Sequence, residues 1–307
     1  MKVLISPSSF GEISSEPLDI LKKNKYEIIT NPFKRKLTEQ EVIELAKDAI
    51  GIIAGLEPLN SKVLDQCPNL KCISRVGVGM ENVDVEYAQK KGIIVTNTPD
   101  GPTRAVAELT LAMTLALLRR IPQADTNMKK GVWEKETGNL LTGKTIGVVG
   151  LGRIGKNVAQ IFKSLGNPVI GYDPVVDNEW VKKYEVPIVP FNAIFKKADI
   201  ITLHIPGSRD KKPVVTEEII ASIKPGSFFI NISRGDVVDE QALAQALRTK
   251  TIAGAAIDVF LQEPYNGPLI NLNNVVLTPH IGSYAKESKF RMEIDAVNNL
   301  INALSKN

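Results

Sequence analysis

The tightest constraint on this chain lies at residues 145–165. The apolar run Thr145-Ile146-Gly147-Val148-Val149 leads straight into Gly150-Leu151-Gly152-Arg153-Ile154-Gly155, and helical periodicity follows to residue 165. A G-x-G-x-x-G pattern alone is weak, but one that closes a strand and opens a helix sits where its chemistry requires. The first glycine makes the tight turn, the second lets backbone approach a pyrophosphate, and the third lets helix and strand pack closely. The helix start then offers free amides and a positive dipole end to phosphates. Gly150, Gly152, Arg153, Ile154 and Gly155 are therefore candidate cofactor-binding residues. The next apolar run, Val169-Ile170-Gly171-Tyr172, ends in Asp173, 18 residues after Gly155. A carboxylate there accepts ribose hydroxyls and repels a 2′-phosphate, so the pattern favours NAD over NADP.

The rest of the chain alternates short apolar runs with helical periodicity, the pattern of a parallel α/β sheet. Strands are expected over 2–6, 26–30, 50–54, 71–75 and 93–96, with helices over 14–23, 38–48, 61–66 and 85–90 between them. Thr38 followed by Glu41 reads as a capping box, and Asp84 as a helix cap. The sequence Asn97-Thr98-Pro99-Asp100-Gly101-Pro102 is a strong break. A helix over 103–118 follows, apolar on nearly every face from 105 on, as expected of a helix buried between domains or between subunits. A second series places strands over 145–149, 168–172, 187–189, 199–204, 227–231, 252–258 and 275–278. Its helices fall over 153–165, 192–197, 217–223 and 240–248, and a last helix over 285–304. At 307 residues two domains are expected. The series read as two doubly wound, Rossmann-like α/β units with hinges near 97–102 and 280–283.

The net charge of +4 is spread over 38 basic and 34 acidic residues, too weak and mixed to argue for nucleic acid. The densest basic run, Lys34-Arg35-Lys36, reads as a solvated loop or as local help for an anionic substrate. Cys67 and Cys72 are the only cysteines, which gives no disulfide framework and suits a reducing compartment. The first residues lack a signal peptide's apolar stretch, and no apolar run is long enough to span a bilayer. A cytoplasmic location is expected, with no nucleic-acid or membrane partner. One motif is a decoy. Gly138-Asn139-Leu140-Leu141-Thr142-Gly143-Lys144-Thr145 spells a phosphate loop, but a loop precedes it and a strand follows, the reverse of what phosphate binding at a helix start needs.

Ligands of parallel α/β sheets bind beyond the carboxyl ends of the strands. Both histidines, His204 and His280, fall at such ends, and the pattern does not separate them. Hydride transfer to or from a 2-hydroxy acid needs an imidazole to move the hydroxyl proton. It needs a guanidinium to hold the carboxylate, and a carboxylate beside the histidine. Arg234, in Asn231-Ile232-Ser233-Arg234-Gly235, and Glu263, in Asp258-Val259-Phe260-Leu261-Gln262-Glu263-Pro264, are available past strand ends. In the first unit Arg75-Val76-Gly77-Val78-Gly79 offers two glycines whose neighbouring amides could face an anion. Arg75 and Arg104 are candidate cations for a phosphorylated substrate.

Taken together, residues 76–84, 97–108, 141–173, 203–206, 231–239, 254–264 and 278–283 resemble the D-isomer-specific 2-hydroxyacid dehydrogenase family over nearly the whole chain. Residues 31–38 and 55–59 are similar to short members often labelled D-3-phosphoglycerate dehydrogenase. The resemblance implies a flavodoxin-like substrate domain over 1–98 plus 284–307, an NAD-binding Rossmann domain over 99–283, and an active site in the cleft between them. His280 would be the acid/base, Glu263 its partner, and Arg234 the anchor of the carboxylate and the reacting oxygen. The Val76, Gly77, Val78 and Gly79 backbone would hold the carboxylate from the other side. Asp258 would sit near the nicotinamide carboxamide and Thr103 near the cofactor. His204 and Pro206 would flank the adenine side, and Ile232 and Gly282 would complete the cofactor set. The family implies a homodimer with the apolar helix after Thr103 in its interface. Two other readings are a NAD-sensing corepressor and a formate or phosphite dehydrogenase. Long phosphoglycerate dehydrogenases carry a C-terminal regulatory domain, and serine feedback through such a domain is not expected here.

Overall fold

Every strand in this computed structural model, which describes residues 1–207 and 212–305, runs parallel to its neighbours. Parallel strands are buried on both faces, which is why they read as unbroken apolar runs. Two compact units result, Met1–Pro102 joined by the segment from Ser283, and Thr103–Gly282.

The first unit opens with β1 (Lys2–Ile5), α1 (Glu16–Lys23), β2 (Glu27–Thr30), α2 (Glu39–Ala46) and β3 (Ala49–Ala54). It continues with α3 (Ser61–Asp65), β4 (Cys72–Arg75), α4 (Val85–Lys90) and β5 (Ile94–Thr96). The sheet order β2-β1-β3-β4-β5 is the flavodoxin-like order. Local signals in the sequence set the helix starts. The Thr38 hydroxyl accepts the Glu41 amide at 3.3 Å and the Glu41 carboxylate accepts the Thr38 amide at 2.8 Å, a capping box. Asp84 accepts the Tyr87 amide at 3.0 Å. The basic run at 34–36 has a local use as well. Arg35 grips Glu41 through two hydrogen bonds of 2.6 and 2.9 Å, which ties the loop after β2 to the α2 cap.

The second unit follows α5 (Gly101–Leu118) and α6 (Ile121–Lys129) with β6 (Ile146–Val149), α7 (Arg153–Ser164), β7 (Val169–Tyr172), α8 (Asn178–Tyr184) and α9 (Phe191–Lys197). Then come β8 (Ile200–Leu203), α10 (Glu217–Ala221), β9 (Phe228–Asn231), a 3-10 turn (Gly235–Val237), α11 (Glu240–Arg248), β10 (Gly254–Ile257) and β11 (Val275–Leu277). The sheet order is β11-β10-β9-β8-β6-β7. Two apolar clusters cover its faces, one built around Phe195, Phe229 and Leu247, the other around Phe162, Val148 and Ile230. The last helix, α12 (Lys286–Leu304), packs on the first unit's sheet through Ala296, Val297, Leu300 and Ala303. Ser74 of β4 donates to the Ala296 carbonyl at 2.8 Å, and Asn299 to the Asn97 carbonyl at 3.1 Å.

Three expectations need correction. The strand expected over 187–189 is a single bridge, Ile188 beside Gly171 of β7. It stands where the third strand of a 3-2-1-4-5-6 order belongs, but too short a run pairs there to make a strand. Second, the helix expected to be buried between domains or between subunits keeps, within one chain, an exposed row of Arg104, Glu108, Ala112 and Leu115, with Leu115 37% exposed, so the single chain does not by itself supply the whole cover. Third, α6 and α8 were not expected. α6 buries no residue, so it carries no apolar stripe to read, while α8 starts from an Asp177 cap on the Trp180 amide.

Candidate functional site

All six strands of the second unit's sheet end at one edge, and a candidate residue stands within three residues of each strand end. In sheet order the edge runs Asp173 after β7, Gly150 after β6, His204 after β8, Arg234 after β9, Asp258 after β10 and His280 after β11. Neighbouring strands lie about 4.8 Å apart, so these loops emerge side by side. The strand order reverses between β6 and β8, the switch point at which open α/β sheets bind ligands.

The glycine turn is built for close approach. Gly150 has φ +92°, and a Cβ there would run into the His204 carbonyl. A Cβ on Gly155 would run into the carbonyl of Gly150, so α7 packs directly on the turn. Around Gly152, the first-turn cap of α7, a Cβ would meet nothing within 4 Å. Two of the glycines are therefore demanded by packing, and the middle one leaves open space in front of the helix start. Asp173 is fixed at the rim of this turn, accepting the Leu151 amide at 2.7 Å and the Val175 amide at 2.8 Å. Arg153 and Pro206 are exposed, Ile154 is half-buried, and Thr103 lies half-buried in the first turn of α5.

The two histidines differ sharply. Burial pushes the His204 imidazole down to about 3, which keeps it neutral. Its Nε2 meets the Thr202 hydroxyl at 2.9 Å, while its buried Nδ1 has no partner among the described residues. An orphaned ring nitrogen beside Gly150, together with the open cradle at Gly152 and the carboxylate of Asp173, fits a dinucleotide. His280 instead places its Nδ1 2.9 and 3.0 Å from the two carboxylate oxygens of Glu263. Its side chain is 41% exposed. It adopts φ +55°, uncommon for a side chain with a Cβ, and its loop is held from both sides. Asp258, fully buried, accepts the Ile281 amide and the Gly282 amide at 2.8 Å each and the Thr278 hydroxyl at 2.5 Å. The sequence placed Asp258 near the cofactor only; the structure shows that both its oxygens also tie down the loop of His280. Burial raises the Asp258 carboxyl above the ordinary range, against those hydrogen bonds.

Arg234 is set by an Asn231 turn. The Asn231 side chain accepts the Ser233 amide and hydroxyl and donates to the Arg234 carbonyl at 2.9 Å. The Arg234 guanidinium donates to the Ser233 carbonyl at 2.7 Å. Gly235 lies so close to the Phe260–Leu261 backbone that a Cβ would not fit, which presses the arginine loop onto the loop of Glu263. Ile232 is 5% exposed and packs near Gly282 and Asp258.

In the first unit the loop after β4 is less open than the sequence suggested. The Val76 amide donates to Ala54 at 2.9 Å and the Gly77 amide to the Thr98 hydroxyl at 2.7 Å, so both are spent inside the fold. The expected anion-binding stretch narrows to Val78 and Gly79. The Arg75 guanidinium curls back onto the Val76 carbonyl and fills the place a Cβ on Gly77 would take. Arg104 pairs with Glu108 at 2.7 Å along α5. Sequence reading missed Glu57. This 2%-exposed carboxylate lies beyond the end of β3 and accepts the Gly55 amide at 3.0 Å. A lone glutamate in a Gly-x-Glu-Pro turn carries no periodic signal.

Residues 111–282 match the model of the D-isomer specific 2-hydroxyacid dehydrogenase NAD binding domain. The chain is 38% identical over 308 residues to a D-3-phosphoglycerate dehydrogenase of Synechocystis, covering 99% of this chain and 54% of that protein. It thus spans about half the length of the phosphoglycerate dehydrogenases it matches. It is 39% identical over 279 residues to a glyoxylate reductase of Thermofilum pendens, covering 87% of this chain and 82% of that one. The structure of a D-lactate dehydrogenase from Aquifex aeolicus, complexed with NAD and lactic acid, superposes with a TM-score of 0.86 at 28% identity, covering 100% and 96% of the two chains. With the glycine turn, the acidic strand end and the ordered row of loops in place, the chain belongs to the D-isomer specific 2-hydroxyacid dehydrogenase family.

Proposed function

We propose that this chain catalyses reversible hydride transfer between NAD(H) and C2 of a D-2-hydroxy acid or its 2-oxo acid, with D-3-phosphoglycerate and 3-phosphohydroxypyruvate as one candidate pair. The observation that carries the reading is the His280–Glu263 contact of 2.9 Å on the same sheet edge as the dinucleotide turn. The bound dinucleotide supplies or takes the hydride at its nicotinamide ring. The amides at the start of α7 hold its pyrophosphate, and Asp173 takes the ribose hydroxyls. Arg234 holds the substrate carboxylate and polarises the carbonyl oxygen. Glu263 fixes the His280 ring through Nδ1, so that Nε2 gives the proton to the alkoxide that forms, or takes it in the reverse direction. His204, held neutral by burial, serves the cofactor side.

The remaining roles follow the same reading. Val78 and Gly79 add amides for the carboxylate, and Arg75 and Arg104 are the cations for a phosphorylated substrate. The unit of Thr103–Gly282 is the NAD-binding domain and the unit of β1–β5 the substrate domain. A homodimer is supported by exposed apolar side chains on the NAD unit, namely Leu115, Ile121, Met128, Val132, Trp133 and Leu140, with Trp133 79% exposed. Equilibrium sedimentation checks it, and a monomer at micromolar concentration removes it. Among the described residues no helix is long and apolar enough to cross a membrane. Both cysteines are free and buried, in keeping with a cytoplasmic location.

The test is a panel of 2-oxo acids with NADH, followed by the loss of nicotinamide absorbance. Turnover with one of them is expected, and His280→Ala should lower it about 10²–10⁴-fold. NADH binding without any turnover would point to a sensing protein, and turnover with formate or phosphite alone to another donor.

A further inference from the structure

The loop from residue 258 to 274 has no regular secondary structure, yet it must hold Glu263 to within hydrogen-bond precision of His280. Glu263 is itself exposed, so packing of its own side chain does not place it. Its carboxylate accepts one local amide, that of Phe260, at 3.1 Å. Phe260 is 9% exposed, and its ring stacks on Tyr265 with centroids 4.0 Å apart and planes at 21°. The Tyr265 hydroxyl accepts the Leu269 amide at 3.1 Å, and Leu269 is 1% exposed in the core. The carboxylate of Glu240, the first residue of α11, lies near enough to this phenol for each to shift the other's titration. That helix is anchored by Leu243, Ala244 and Leu247 and capped by Asp239 on the Ala242 amide at 3.0 Å.

We propose that Tyr265, held by the Leu269 amide, is the positioning residue for Glu263: it clamps Phe260, whose amide holds the carboxylate that aligns His280. The inference rests on the dehydrogenase reading of the His280–Glu263 pair. Its physical logic is a chain of contacts from the apolar core to an irregular loop. Buried Leu269 fixes the phenol through its amide, the phenol ring fixes the Phe260 ring, and the Phe260 amide fixes Glu263. Burial pushes the Tyr265 phenol up to about 12, so it stays a hydrogen-bond donor across the working range. Burial likewise raises the Glu240 carboxyl above its ordinary range. A displacement of about 1 Å in such a supporting shell can cost about 100-fold in rate.

The experiment is a coupling measurement on the full chain with NADH and the best 2-oxo acid. Tyr265→Leu should lower kcat by about 10- to 100-fold, with KM for NADH within about twofold of the parent. Tyr265→Phe keeps the ring stack and loses the hydroxyl that takes the Leu269 amide. It should cost about three- to fivefold. In a Glu263→Gln background Tyr265→Leu should add less than about twofold, because the group it positions is already gone. The pH profile of kcat/KM should change shape in Tyr265→Leu, whereas a defect of folding alone scales the profile down unchanged. If the Tyr265 and Glu263 effects multiply, or the profile keeps its shape, the positioning role is overturned. If Glu263→Gln itself leaves kcat intact, the reading of the dyad falls instead. Should Tyr265→Leu not fold, Tyr265→Phe in both backgrounds decides the matter.

Discussion

Two turns with the same letters behave differently. Val76-Gly77-Val78-Gly79 follows β4 in the first unit, and Gly150-Leu151-Gly152 follows β6 in the second. Both place Gly-x-Gly past the carboxyl end of a parallel strand. At Gly150 the turn runs at once into the 12-residue α7, whose first-turn amides face the open space around Gly152. At Gly77 no helix follows until α4 begins at Val85. There the Gly77 amide is donated to Thr98, and the Arg75 guanidinium lies where a Cβ would be. One turn offers an anion a helix start, the other a folded-back cation. A helix that follows at once gives a glycine turn a ready anion site, whereas without one the turn has only the amides that the fold has not already used.

The comparison can be broken most directly at Gly155. Gly155→Val pushes a side chain into the Gly150 carbonyl, so NADH binding by calorimetry should weaken about 100-fold or more, equivalent to about 2.7 kcal/mol. An unchanged Kd would mean that α7 does not hold the pyrophosphate. Gly77→Ala should act on the other ligand. At φ +134° an alanine is strained, by about 1–3 kcal/mol, and displaces the Arg75 guanidinium. KM for the 2-oxo acid should rise about tenfold, with Kd for NADH within about twofold. If both change together, the two turns do not divide the work as described.

The smallest effects are of opposite sign in pH. His204, beside Gly150, has a folded value of about 3 against an ordinary 6.5. The unfolded chain binds more protons between those values. Stability from this group is therefore whole above about 6.5 and is lost as pH falls toward 3. Glu57, near Gly55 and Arg75, has its carboxyl raised by burial. Its contribution is present at low pH and is lost as pH rises past the ordinary glutamate value. Melting curves against pH should flatten on the acid side for His204→Asn and on the neutral side for Glu57→Gln. The same slope in parent and variant would show that neither burial is felt.

The sheet strands were legible within a residue or two, because most of these parallel strands are short, largely apolar runs. The caps at Thr38 and Asp84 were legible because capping is local. The short bridge at Ile188 was overread as a strand, since a three-residue apolar run does not tell whether a partner lies alongside. The exposed row Arg104, Glu108, Ala112 and Leu115 shows a related limit: periodicity reports how apolar a helix face is, not what covers it.

By itself the sequence determined the two α/β units, the dinucleotide turn and its acidic strand end, since each depends on residues close together along the chain. The residue pattern alone left His204 and His280 equivalent, both at strand ends, and only the family resemblance gave them different roles. The tertiary structure supplied the physical difference, burying one ring and bringing Glu263 to the other. It likewise spent the amides of Val76 and Gly77 on Ala54 and Thr98. The reason is physical: burial and charge pairing depend on which loops meet in space, and the 258–274 loop that carries Glu263 has no periodicity from which its path could be read.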